Sequence, residues 1–281
     1  MILTSILYLI SLSVSLAAAY FLSAYNAYFW LLALPFWFVS FYLCFGLWVL
    51  LLILWGPFIK NKAAPERPNR FYVGIIHQTI VTFFWAMNIH VRVRGASKIP
   101  SQKVLYVNNH ISNFDPMAMI AAFRGPLLAV TKPQNFSFPI AGPFIKQAGF
   151  VPINREDAKE GGKAINRASS YLSEGICDVE ICPEGTRNKT NQTLLEFHAG
   201  SFRAGMDAHA PIAIVAVKGT KEIKKRAPFL PCFVYLDVLK VLEPKEYEGM
   251  TTVQVRDLAY HLIKNALKGS LMYKLPAFYQ P

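Results

Sequence analysis

The stretch Val104-Leu-Tyr-Val-Asn-Asn-His110-Ile-Ser-Asn-Phe-Asp115-Pro116 decides the fold. Val104 to Val107 has the length and apolar character of a buried strand, and the polar run after it ends that strand abruptly. In domains of alternating strands and helices, functional groups sit where strands end, which puts His110 in such a position, with Asp115 five residues on. Along one helix that spacing turns two side chains apart, because helical neighbours lie three and four residues away. Ser112 and Asn113 favour a turn, and Asp115-Pro116 reads as a helix cap followed by proline at the first helical position. A turn there would bring the carboxylate to the imidazole, fix its tautomer, and leave the other ring nitrogen to take a proton from a substrate hydroxyl. On this segment alone a second reading stays open, in which Asp115 only caps its helix and His110 only packs.

Outward from this segment the chain alternates. Strands are expected at 90–93, 104–107, 127–131, 150–153, 179–182, 212–217 and 233–241, with helices at 116–123, 139–148, 158–173, 200–208 and 251–267. That is the pattern of an α/β domain, a central sheet flanked by helices. Two further strand ends carry chemistry. Ile181-Cys-Pro-Glu-Gly-Thr-Arg187 turns through proline and glycine. Amides freed by such a turn, with Thr186 and Arg187, make a phosphate cradle around Gly185. Glu184 repels phosphate, so its roles are to orient Arg187, accept from a hydroxyl, or tie down loop amides. Gly149-Phe-Val-Pro-Ile-Asn-Arg155 delivers Arg155, and Lys132 follows the strand ending at Thr131 in the same way. Each cation taken singly also reads as an ordinary surface charge.

The other end of the chain is different in kind. Residues 1–59 hold no Asp, Glu, Lys or Arg, so all 29 basic and 17 acidic side chains follow. Two apolar runs, 3–23 and 29–55, are each long enough to span a bilayer, which takes about 20 residues. A secretory signal would want a basic start and a cleavage site of small residues, and the start here has no basic residue. Residues 1–59 are therefore expected to be a membrane anchor of two hydrophobic helices. Lys60, Lys62, Arg67 and Arg70 come next and mark the cytoplasmic side. Residues 60–89 are a linker and a helix, amphipathic through His77, Gln78, Thr79 and Thr82, expected at the interface or in the core. Residues 90–281 are the catalytic domain.

The net charge of +12 belongs to the part that follows the anchor and suits anionic lipid, phosphorylated substrates or an acidic carrier. Nucleic acid is not expected, because the densest basic run, Lys218 to Arg226, lacks interleaved aromatics for base stacking; that run reads as a solvated loop. Cys44, Cys177, Cys182 and Cys232 lack paired ligand spacing, so reduced thiols and no metal are expected.

Taken in order, Asn109-His110-Ile-Ser-Asn-Phe-Asp115, Gly149 to Arg155, Pro183-Glu-Gly-Thr-Arg187 and Ala210-Pro-Ile212 resemble the glycerolipid acyltransferase family. The likeness is to its bacterial 1-acyl-sn-glycerol-3-phosphate (lysophosphatidic acid) branch. It covers about residues 90–220, and the joint occurrence of the motifs is highly specific. Ile111 and Cys182 depart from the family's usual residues, which bears on acyl-chain preference. The resemblance implies a glycerol-phosphate acyltransferase-like fold, His110 as catalytic base with Asp115 as its partner, and Arg155 with Glu184 to Arg187 binding the acceptor's phosphate. It implies acyl transfer from acyl-CoA or acyl-carrier protein, as co-substrate with no cofactor, to the sn-2 hydroxyl of a lysophospholipid, at the cytoplasmic face of a cytoplasmic or inner membrane. The alternatives are another lysophospholipid or glycerol-phosphate acceptor, a membrane thioesterase, and a protein that only binds anionic lipid.

Overall fold

Seven strands form one mixed sheet behind an apolar helical hairpin. The computed structural model describes residues 2–24, 26–123, 125–154 and 157–269.

The hairpin pairs α1 (Ile2–Ser23) with α2 (Ala33–Lys60) through a 3-10 turn, Ala27–Leu32. Thr4, Leu7, Ser11, Ser15 and Ala19 recur every three or four residues along α1 and form its buried face. Small residues let two helix backbones approach closely, and hydroxyls lock the pair: Ser40 Oγ donates to Ser11 O at 2.9 Å, and Ser15 Oγ to Ala33 O. Both helices are long and apolar enough to cross a membrane. Most of their surface, including Val14, Leu43 and Leu47, faces outward rather than into the protein. The second helix outruns its expected end at Trp55 and passes through Pro57 to Lys60. The added turn packs: Ile59 is buried, and Gly56 lies so close to Pro139 and Pro143 that a side chain would touch both.

Helix α3 (Arg70–Ala86) starts at Asn69, whose side chain accepts from Phe71 N. One face, with Ile80 and Phe84, joins the main core. Three of the four polar residues that made it look amphipathic turn toward the hairpin: Gln78 Oε1 accepts from Leu3 N at 3.2 Å, Thr82 meets Thr4 at 2.9 Å, and Thr79 accepts from Trp48 Nε1 at 3.1 Å. Thus α3 joins hairpin to domain.

The strands are β1 (Ile89–Arg94), β2 (Leu105–Asn108), β3 (Leu127–Thr131), β4 (Val151–Pro152), β5 (Asp178–Ile181), β6 (Ile212–Lys218) and β7 (Cys232–Leu242). Their order in the sheet is β1-β7-β6-β2-β5-β3-β4. From β6 to β4 all neighbours run parallel, whereas β7 is antiparallel to β6 and parallel to β1. The crossovers that allow this are α4 (Asp115–Ala122), α5 (Ala141–Ala148), α6 (Ala158–Ser173) and α7 (Arg203–Asp207). They are followed by α8 (Ile223–Arg226), α9 (Pro244–Tyr247) and α10 (Thr252–Gly269). Every expected strand is present, with β4 trimmed to two residues. The expected helices at 139–148 and 200–208 each begin later, at Ala141 and Arg203, behind 3-10 turns.

The core is where parallel strands require it. Val107, Ile181, Ile214 and Val215 are buried, each worth about 1.5–3 kcal/mol. The sheet order has one functional consequence: β6, β2 and β5 are neighbours and end at the same edge. β7 and β1 run the other way, so Cys232 and Ile89 begin at that edge. The α3-to-β1 junction and the hairpin therefore stand beside the ends of the three central strands.

Candidate active site

His110 leaves the end of β2, the middle strand of the three. Asn109 pins that end to β6 by a side-chain imitation of a strand pair: its Nδ2 donates to Val217 O at 3.0 Å and its Oδ1 accepts from Val217 N at 2.8 Å. On the other side β5 supplies Glu184, whose Oε1 accepts from His110 N at 2.5 Å and whose Oε2 accepts from Leu195 N at 3.0 Å. Asn188 N donates to His110 O at 2.7 Å. The backbone of His110 is thus held from both directions.

Its side chain meets Asp115, with Nδ1 3.0 Å from Oδ2. The loop does bring imidazole and carboxylate together, and Asp115 does more than cap a helix. Its carboxylate turns back on the loop and accepts from Ile111 N and Ser112 N, each at 2.7 Å. The remaining oxygen accepts from Thr220 Oγ1 at 2.5 Å. Four donors and the N-terminus of α4 stabilise this anion although it is fully buried, while the imidazole keeps 21% of its surface open. A nitrogen pinned inside and a ring edge open outside is the arrangement of a general base.

Of the three roles open to Glu184, the geometry fits tying down loop amides. The side chain is buried, and burial raises its pKa while the amides of His110 and Leu195 pull it back down. Arg187 turns elsewhere, its Nη1 donating to Asn113 Oδ1 at 2.7 Å, and so braces the histidine loop. Gly185 is buried and Thr186 exposed in the same turn. Lys132 is exposed at the end of β3, two strands from β2 on the same sheet edge, and no hydrogen bond ties it to the histidine loop among the described residues. Arg155 lies outside the described residues.

Thr220 was not legible as a site residue. It lies in the run read as a solvated loop, where Lys218 in fact pairs with Asp237 at 3.0 Å. Gly219, at φ +87° and too near Phe233 O to carry a side chain, turns the chain so that Thr220 points inward. A glycine and a hydroxyl just past a strand end were the available signal. Glu180 was also missed. It is buried in β5 with neither oxygen hydrogen-bonded among the described residues, and its pKa is pushed up to about 8, first by burial and then by Asp115. Asn108 approaches it without completing a hydrogen bond and has an unsatisfied Oδ1 of its own.

Residues 90–218 match the family model described as Acyltransferase. The chain carries an acyltransferase-family domain, and it is an acyltransferase. It is similar to the 1-acyl-sn-glycerol-3-phosphate acyltransferase alpha of Homo sapiens, 28% identical over 214 residues that cover 73% of this chain and 74% of that protein. It is also similar to the 1-acyl-sn-glycerol-3-phosphate acyltransferase of Haemophilus influenzae, 25% identical over 157 residues, 56% of this chain and 64% of that one. Its fold matches the crystal structure of the 1-acyl-sn-glycerophosphate (LPA) acyltransferase, PlsC, from Thermotoga maritima, with a TM-score of 0.58 and 21% identity over 83% of this chain and 99% of that one. In this acyltransferase the dyad, the Glu184 clamp and Thr220 all fall at the edge where its apolar hairpin leaves the sheet.

Proposed function

We propose that this acyltransferase moves a fatty acyl group from acyl-CoA or acyl-carrier protein to the sn-2 hydroxyl of 1-acylglycerol-3-phosphate, forming phosphatidic acid. The observation that carries the reading is the 3.0 Å contact of His110 Nδ1 with the buried Asp115 carboxylate. Two named relatives act on this acceptor according to their names, which supports the choice.

In the proposed reaction His110 Nε2 removes the proton of the acceptor hydroxyl as its oxygen attacks the thioester carbon. The tetrahedral intermediate collapses, the carbon–sulfur bond breaks, and the imidazolium returns the proton to the thiolate. No acyl-enzyme forms. Asp115 holds the tautomer and offsets the charge gained by His110. Amides of His110, Ile111, Ser112 and Gly185 are already engaged within the protein, so the donors for the developing oxyanion are the amides of Thr186 and Arg187, or Lys132. Arg187, Lys132 and Arg155 follow neighbouring parallel strands and supply positive charge for the acceptor's phosphate.

Both acceptor and product are lipids, which fits a site beside helices that can lie in a bilayer. The basic residues after α2, Lys60, Lys62, Arg67 and Arg70, support a reading with the domain on the cytoplasmic face of the cytoplasmic or inner membrane. The test is an assay of the purified full chain with labelled acyl-CoA or acyl-carrier protein, with and without lysophosphatidic acid. The expected result is labelled phosphatidic acid only when the acceptor is present. Free fatty acid at the same rate in both arms would make it a thioesterase.

A further inference from the structure

From β1 onward the described residues leave five large apolar side chains open to solvent. Single exposed apolar residues need no explanation. Two of these five, Phe229 and Leu230, are adjacent, and at 91% Phe229 is more exposed than any other large apolar residue described, those of the hairpin included. They tip the segment that joins β6 to β7. The preceding residue, Pro228, lines one cleft of about 710 Å³ together with Phe38 and Tyr42 of α2 and Trp85 of α3. The tip therefore lies beside the hairpin, at the level where Tyr42 donates to Ala86 O and beyond which Leu34, Phe38 and Val39 face outward.

The stem below this tip is basic. Lys221, Lys224 and Lys225 are exposed, and Arg226 closes α8. Glu222 is the one acid among them and pairs with Lys225 at 3.9 Å. An apolar tip on a basic stem, continuous with an apolar hairpin, has the chemistry to seat in an anionic membrane surface. Aromatic and aliphatic groups enter the acyl boundary, and lysines stretch to the phosphates.

We propose that residues 221–230 are a second membrane contact of this enzyme, with Phe229 and Leu230 in the acyl boundary and the lysines on anionic headgroups. The proposal rests on the reading of α1 and α2 as helices that lie in a bilayer. Its position matters because Thr220 begins the same segment and holds Asp115. Seating the tip fixes the height of the catalytic dyad over the lipid surface, where the hairpin alone would leave the domain free to tilt.

The test uses the full chain in vesicles of phosphatidylcholine with or without phosphatidylglycerol. Phe229→Cys carries a nitroxide. Leu47→Cys on the outer face of α2 reports the hairpin, and Val253→Cys at the start of α10, near the opposite sheet edge, reports water; labelled wild type gives the background. The expected result is that the label at 229 collides with oxygen more than with a water-soluble nickel chelate, as at 47 and unlike 253. Phosphatidylglycerol should deepen it, and Lys224→Gln with Lys225→Gln should abolish that deepening. Chelate access at 229 equal to that at 253, with 47 still in lipid, overturns the proposal and leaves the hairpin reading standing. If 47 is also in water, both readings fall. Shielding of 229 only on addition of acyl-carrier protein would make the segment a protein contact and overturn the lipid assignment, and equal depth with and without phosphatidylglycerol overturns the anionic preference.

Discussion

Thr220 Oγ1 donates to Asp115 Oδ1 across 105 residues of sequence. The other oxygen of Asp115 is occupied by two loop amides and the His110 imidazole, so Thr220 completes the coordination of a carboxylate that water does not reach. Without that donor a buried carboxylate oxygen would be left unmatched, and the group that orients His110 would be less firmly held.

Thr220→Val keeps the shape of the side chain and removes the donor. It should lower kcat about tenfold or more with little change in KM, since an unmatched buried acceptor costs about 1–3 kcal/mol. Thr220→Ser should restore most of the rate. Steady-state kinetics of the three forms check this, and a Val variant as fast as wild type would take Thr220 out of the site.

His110→Ala should abolish transfer while the circular dichroism of the chain stays unchanged. Asp115→Asn should retain substrate binding but lose about two to four powers of ten in kcat, because a neutral amide does not offset the charge that His110 gains with the proton. Near-normal transfer by either variant would remove the dyad from the mechanism.

Cation removal should show itself in the acceptor. Lys132→Ala and Arg155→Ala are each expected to raise KM for lysophosphatidic acid by about tenfold with a smaller effect on kcat. Arg187→Ala should lower kcat as well, since Arg187 braces Asn113 in the histidine loop. Unchanged KM in all three would locate the phosphate elsewhere.

Glu180 gives a pH signature. The pKa of its carboxyl is raised from 4.5 to about 8 in the folded chain. Between those values the unfolded chain has released a proton that the folded chain keeps, so stability falls as pH rises, by at most about 1.4 kcal/mol per unit. The contribution is complete below the lower value and gone above the upper one. Glu180→Gln removes this slope and still offers Asn108 a donor. Thermal midpoints of the full chain in detergent at pH 5 and pH 8 should differ less for the variant than for wild type, with the variant the more stable at pH 8. Equal slopes would mean that Glu180 is already ionised.

Much of this was legible in the residues. Strand-length apolar runs such as 104–107 and 212–217 reported their strands, because burial on both faces of a parallel sheet leaves no polar alternation. The absence of charge before Lys60 reported the hairpin. His110 and Asp115 share one loop, so turn-forming residues between them sufficed to suggest their meeting. The second apolar run was expected to end at residue 55, whereas the helix continues through Pro57 because Ile59 and Gly56 give it a packing reason to do so.

The sequence by itself determined the elements, the hairpin and the local pair of His110 with Asp115, because each depends on periodicity or on residues a few positions apart. Only the tertiary structure decided which strand ends are neighbours. Asn109 with Val217, Glu184 with His110, and Thr220 with Asp115 are 108, 74 and 105 residues apart. They meet because β2 lies between β5 and β6, an order settled by packing of the whole sheet.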